Sequence, residues 1–256
     1  MRAFSSFLKK EILENVRSPR FAIVMAIFVL LGIMNPAVAK LTPWLLELLA
    51  EDLAASGMQI GNVTADALAS WSQFYKNIPM AIIAFVFMYS NVFTKEYADG
   101  TLTLILTKGL ARYKVVLAKS AVASAVWTLG YWLCYAVTQA GTAMLWDSFT
   151  VTALLPAGLY WWLFGLLVIS LTVLFSVIFK SYVGVLMGTG GAILAIYLLS
   201  LIPKLAKYVP TALMNGTAIV AGVIKPGEYT PAVIISSVLT VCCIAAAIPI
   251  FNKKQL

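Results

Sequence analysis

At 256 residues, with 62% hydrophobic side chains, 11% charged side chains and a net charge of +8, the chain departs from a soluble domain, which typically has about 45–50% apolar and 25% charged residues. This balance excludes a soluble globular protein and predicts an all-α integral membrane protein. No nucleic-acid partner is expected, because the basic residues are scattered among membrane boundaries instead of gathered in one patch.

Residues 1–20 read as an amphipathic helix lying on the inner membrane surface. Phe4, Leu8, Ile12 and Val16 recur every fourth residue as an apolar stripe, with Lys9, Lys10, Glu14 and Arg17 on the other side. Glu11 falls inside the stripe and makes it imperfect. Ser18-Pro19 then breaks the helix. The segment differs from a secretory leader because its basic region is long and contains Glu11 and Glu14.

A spanning helix needs roughly 20 apolar residues. Six segments meet or approach that length without Asp, Glu, Lys or Arg: 21–39, 77–94, 120–146, 157–179, 182–202 and 230–251. With both termini inside, cytoplasmic segments hold thirteen Lys and Arg residues and outer segments five, the bias expected of a positive-inside topology. The net charge is therefore mostly a topology signal, and the lipid bilayer is the first partner.

Residues 40–76 read as an extracellular segment in which Thr42-Pro43 starts a helix, Gly57 and Gly61 mark a turn, and a second short helix follows Thr64. Residues 203–229 form the second extracellular segment. Tyr208–Ile224 is apolar enough for a seventh span, but Pro210, Gly216 and Gly222 interrupt it, and a full crossing would place Lys253 and Lys254 outside. A re-entrant or interfacial helix pair fits better, since irregular backbone at membrane depth needs protein or water to satisfy it.

Several chemistries are missing. No phosphate-binding Gly-rich loop ends in a lysine, and Gly188-Thr189-Gly190-Gly191 lies inside a span. The chain has no His, and Cys134, Cys242 and Cys243 fall within spans, so no metal set, disulfide framework or nucleophile–His–acid set is expected. Asp99-Gly100 with Arg112 is not followed by the acidic residues an alcohol phosphotransferase requires. The spans also lack the buried charges of proton- or voltage-driven machines. Energy for uphill transport would have to enter from outside the membrane.

The place for it is the polar island at 95–119, between two charge-free runs. Asp99 is placed to cap a helix over Gly100 to Thr107, ended by Gly109, with Leu102, Ile105 and Leu106 on one face. Such a helix suits insertion into a groove of a partner. Glu96-x-x-x-Gly100-Thr101-Leu102-x-x-x-Leu106-Thr107, followed by Arg112 and Lys119, resembles the signature of type-two ATP-binding-cassette permeases, the membrane subunits of bacterial ABC exporters. The surface helix, six spans, long first outer loop and broken segment before the last span resemble that family too. Lys108-Gly109-Leu110-Ala111 departs from the proline-containing turn common before the arginine.

The resemblance implies a coupling helix between spans 2 and 3, with Glu96, Asp99, Gly100, Thr101, Leu102, Leu106 and Arg112 as ATPase-coupling residues. Glu96 and Arg112 would make electrostatic contacts or brace the loop. It implies two cytoplasmic ABC ATPase subunits that bind ATP and Mg, a second permease subunit, and no catalytic site or cofactor in this chain. Trp127, Tyr131 and Tyr135 recur every fourth residue in the third span and could line a substrate path, with packing as the competing reading. Trp146 and Tyr160-Trp161-Trp162 read as an outer aromatic belt. Gly184-x-x-x-Gly188 permits close helix approach. The absence of buried charge favours an amphipathic or hydrophobic cargo, such as an antimicrobial peptide or drug. A non-transporting scaffold or regulatory subunit is the alternative from another class, and an intramembrane enzyme a third.

Overall fold

Ser18 is extended and Pro19 occupies the first helical turn, so the chain bends sharply between its first two helices, α1 (Arg2–Val16) and α2 (Pro19–Leu48). This computed structural model describes residues 2–49, 65–107, 110–146 and 151–254. The helices that follow are α3 (Ala67–Tyr89), α4 (Thr94–Ala98), α5 (Thr101–Thr107), α6 (Arg112–Leu145), α7 (Leu154–Ile178) and α8 (Tyr182–Ser200). A broken stretch then carries a 3-10 turn at Pro210–Met214, α9 (Gly216–Val220) and a second 3-10 turn at Pro226–Tyr229, before α10 (Thr230–Lys253). Among the described residues, six helices are long and apolar enough to cross a membrane.

Thr42-Pro43 does not start a helix: α2 runs unbroken through both Pro36 and Pro43. A proline removes the N–H that would serve the carbonyl four residues earlier. For Pro36 that carbonyl belongs to Gly32, and the Thr138 hydroxyl of α6 donates to it at 3.2 Å. Thr138 in turn accepts from Asn35 Nδ2 at 2.9 Å, and Asn35 Oδ1 accepts from Asn77 Nδ2 at 2.8 Å. A buried polar chain thus joins α2, α3 and α6 and satisfies the gap that the proline opens. The expected turn at Gly57 and Gly61 lies outside the described residues. The helix expected after Thr64 is the start of α3, where Asp66 accepts from the Ala69 N–H at 2.7 Å as an N-cap.

The largest fully buried side chains are mostly aromatic. Trp127 and Tyr131 of α6 are fully buried, Trp127 against Phe28 and Phe85 and Tyr131 against Phe74. Trp127 donates to the Trp162 carbonyl at 3.2 Å and Tyr131 to the Gly158 carbonyl at 2.7 Å, so neither polar tip is stranded. Gly165 of α7 lets the Trp127 ring approach so closely that a Cβ there would meet it at 2.1 Å. Trp161 also lies in the core, not in an exposed belt; its indole donates to the Met214 carbonyl at 2.8 Å and pins the first 3-10 turn to α7.

The 208–224 stretch is not a single helix. Its short turns pack against α3, α7, α8 and α10. Helix α8 leans on α7 with only Val185 and Thr189 buried. Gly184 lies against Phe179 and Gly188 against Phe175 and Phe179, so both members of the Gly-x-x-x-Gly pair serve contact within the subunit.

Candidate functional site

Both termini and α5 lie at one end of the bundle, where cationic side chains tie the elements together. Lys119, about two turns into α6 and immediately before its charge-free part, is only 3% exposed. Its ammonium donates to Glu11 Oε2 and to Glu96 Oε1, both at 2.9 Å. This ion triad fastens α1 and α4 to α6. Lys10 approaches Glu11 at 3.1 Å and Glu96 at 3.9 Å from the exposed side. It also pairs with Glu14 at 2.7 Å, and that contact holds the Glu14 carboxyl below the usual carboxylate range. A charged cavity of about 80 Å³, lined in part by Glu11, Glu96, Lys119 and Arg20, lies under α1.

The elbow between α3 and α4 is bound to the N-terminal region as well. Arg20 donates to Asn91 at 2.6 Å and Tyr89 to Asn15 at 2.9 Å.

Arg112 opens α6 and grips the end of α10. Its Nη1 donates to the carbonyls of Phe251 (2.9 Å), Asn252 (3.1 Å) and Lys254 (2.6 Å), and the guanidinium lies 5.9 Å from the Phe251 ring. The last carbonyls of a helix lack intrahelical partners and carry partial negative charge. A cation there satisfies both deficits. Lys254 repeats the device one helix further on. It donates to the carbonyls of Val177, Ile178 (3.2 Å) and Phe179 (3.4 Å) at the end of α7. Burial, and then the neighbouring Lys180, push its pKa down to about 8.

Between these fasteners runs the loop that the sequence singles out. Helix α4 ends at Asp99, whose N–H bonds the Lys95 carbonyl at 2.9 Å. Gly100 follows at φ +66°, the left-handed conformation that favours glycine after a helix. Helix α5 therefore begins at Thr101, and Asp99 terminates the preceding helix instead of capping this one. Lys108 and Gly109, the expected stop, lie outside the described residues.

The structure separates the expected loop residues into two groups. Glu96, Leu102 and Arg112 are turned inward: Leu102 is almost fully buried in the subunit's own core, and Leu106 is half-buried against it. The apolar face expected to enter a partner is, at Leu102, the face that anchors α5. Asp99, Gly100 and Thr101 are exposed. Of the aromatic stripe, Trp127 and Tyr131 face the subunit's own core, and half-buried Tyr135 lies against Trp71 with ring centroids 4.7 Å apart and planes tilted by 50°.

Glu11 and Lys254 were not singled out by sequence. The available signal for Glu11 was its place inside an apolar stripe, where a carboxylate is costly unless paired.

A bundle of six apolar helices, with a surface helix and a braced loop at the termini end, defines a multi-pass membrane subunit. Residues 6–252 match the family described as ABC-2 family transporter protein, and the chain belongs to that family. It is thus a membrane permease subunit of an ABC transporter, a family that works with an ABC ATPase at the membrane. Neither a curated protein nor a solved structure matches the chain.

Proposed function

We propose that the chain exports an amphipathic or hydrophobic molecule, of the kind represented by antimicrobial peptides and drugs, in a complex of two permeases and two ATPase subunits. The ATPases bind ATP and Mg; this chain supplies the passage and the docking loop. Both termini and α5 are cytoplasmic in this reading, and the 210–229 turns face outward.

The observation that carries it is the construction of α5. Leu102 and the Glu96–Lys119 pair bolt the loop to the bundle while Asp99, Gly100 and Thr101 stay exposed. A partner pushing on that surface would move α4 and α6 together, because the loop has buried attachments to the helix bundle. The lining of the bundle core by neutral aromatic and hydroxyl groups suits an apolar cargo better than an ion.

Gly100→Pro tests the docking role, since proline holds φ near −65° and cannot adopt +66°. Wild-type permease extracted gently from membranes is expected to retain ATPase activity. The variant is expected to insert normally and lose most of that activity. Retention at the wild-type level by Gly100→Pro would remove the docking assignment.

A further inference from the structure

Residues 251–254, at the end of α10, touch three other elements at once. Phe251 is fully buried and meets the edge of Phe93, the residue before α4, with ring centroids 5.8 Å apart. The Lys254 carbonyl accepts from Arg112 of α6. The Lys254 ammonium lies 4.3 Å from the centre of the Tyr97 ring of α4 and donates to the carbonyls of Val177, Ile178 and Phe179 at the end of α7. One side chain therefore bridges α4, which leads into the exposed loop, and α7.

Both halves of this bridge need positive charge. An aromatic face attracts a cation, and the last carbonyls of a helix lack partners and carry partial negative charge. The charged and titratable groups around the ammonium are Lys180 just beyond α7, Arg112 of α6 and Tyr97 of α4. Among the described residues Lys254 forms no ion pair. Helix α7 extends the bridge. It has no proline beyond its first turn, and Trp161 and Val177 stand about 24 Å apart along it at 1.5 Å per residue. At its far end the Trp161 indole donates to the Met214 carbonyl at 2.8 Å and the Tyr160 hydroxyl to the Pro226 carbonyl at 2.9 Å. Both 3-10 turns of the 210–229 stretch thus hang from α7. A close-packed interior is barely compressible and passes strain along such an element.

We infer that Lys254 is a positioning residue for coupling: it holds the inner end of α7 to α4, so that a displacement of the loop reaches the 210–229 turns along α7. The link to coupling rests on the reading of α5 as the docking loop; the link between α4, α7 and the turns is a property of the permease alone. Burial and Lys180 hold the Lys254 pKa down at about 8, so the folded chain sheds this proton before the unfolded chain does. In that window the unfolded state binds more protons, and the contribution of this group to global stability rises with pH. The neutral amine keeps two N–H groups but loses the charge that the helix end and the ring favour. Loosening of the bridge between pH 7 and 9 is therefore local and distinct from unfolding.

The test is amide hydrogen exchange of the full-length permease in phosphatidylcholine nanodiscs, alone and with its ATPase. In the permease alone, Lys254→Met should speed exchange about tenfold at Thr94–Ala98 and at 210–229, the effect of losing one charge-assisted hydrogen bond, and leave α2 unchanged. Lys254→Arg, which stays charged throughout, should restore the wild-type pattern. Compared with Lys254→Arg at each pH, wild type should match it at pH 7 and approach Lys254→Met at pH 9. Exchange raised uniformly in Lys254→Met would reveal a general loss of fold, and a rise confined to the end of α7 would reveal a local cap; either overturns the inference. With the ATPase bound, ATP should change exchange at 210–229 in wild type and not in Lys254→Met, and an equal response in both would overturn it too. If the permease-alone results hold but no ATPase docks, the docking reading fails by itself and the bridge from α4 to the 210–229 turns stands.

Discussion

Lys119→Met is expected to destabilise the subunit by about 3–5 kcal/mol, the usual cost of removing one partner from a buried ion pair. Lys119 sits between two carboxylates at 2.9 Å each, on helices that approach α6 from different directions. Without it, Glu11 and Glu96 repel one another in a poorly solvated place, and Lys10, nearly half exposed, is their remaining counter-charge. The exposed Lys10–Glu14 pair is worth less than about 1 kcal/mol and cannot compensate. Thermal unfolding of detergent-solubilised protein reads the effect, and protease cleavage near Ser18 should report release of α1. Adding Glu11→Gln and Glu96→Gln to Lys119→Met should recover most of the loss, because the stranded charges are then gone. An unfolding temperature unchanged in the single variant would show that the triad is not a fastener.

Arg112→Glu should have the second largest effect, on coupling more than on insertion. Three carbonyls at the end of α10 converge on one guanidinium nitrogen. A carboxylate offers no donor and places negative charge at the negative end of a helix. Simple truncation, Arg112→Ala, should cost about 1–3 kcal/mol, as for a charged hydrogen bond lost from a partly buried site. Reversal should cost more and free the start of α6 from the end of α10. In the proposed complex the ATPase would still turn over ATP, but transport per ATP would collapse. Arg112→Lys should retain part of both functions, since it keeps the charge but loses the planar fork. Coupled transport at the wild-type ratio in Arg112→Glu would contradict this role.

The six apolar helices and the surface helix were legible because membrane burial acts on local composition: charge-free runs of the right length announce themselves. The loop was legible through its Asp-Gly and the motif around it. What escaped was decided between helices. Pro43 reads locally as a start signal, but within a long apolar helix the propagating backbone continues through it. Pro36 is tolerated because Thr138, over a hundred residues away, serves the freed carbonyl. Glu11 reads as a blemish in an amphipathic stripe until Lys119 arrives from α6. The Trp127–Tyr131–Tyr135 stripe has the same spacing whether it lines a path or fills a core. Its neighbours Phe28, Trp71 and Gly165, which set where the rings sit in this subunit, come from other helices.

The two fasteners also set an order of biogenesis. Lys119 meets carboxylates that precede it by 108 and 23 residues, whereas Arg112 closes on a carbonyl 142 residues later. In a chain synthesised from its N-terminus, the triad has all its members once the third long helix emerges, while the Arg112 grip must wait for the sixth. The first is therefore an early clamp and the second a seal on a finished subunit. Chains arrested after residue 200 should already protect α1 from protease and leave the start of α6 open; equal protection of both in arrested chains would remove the order.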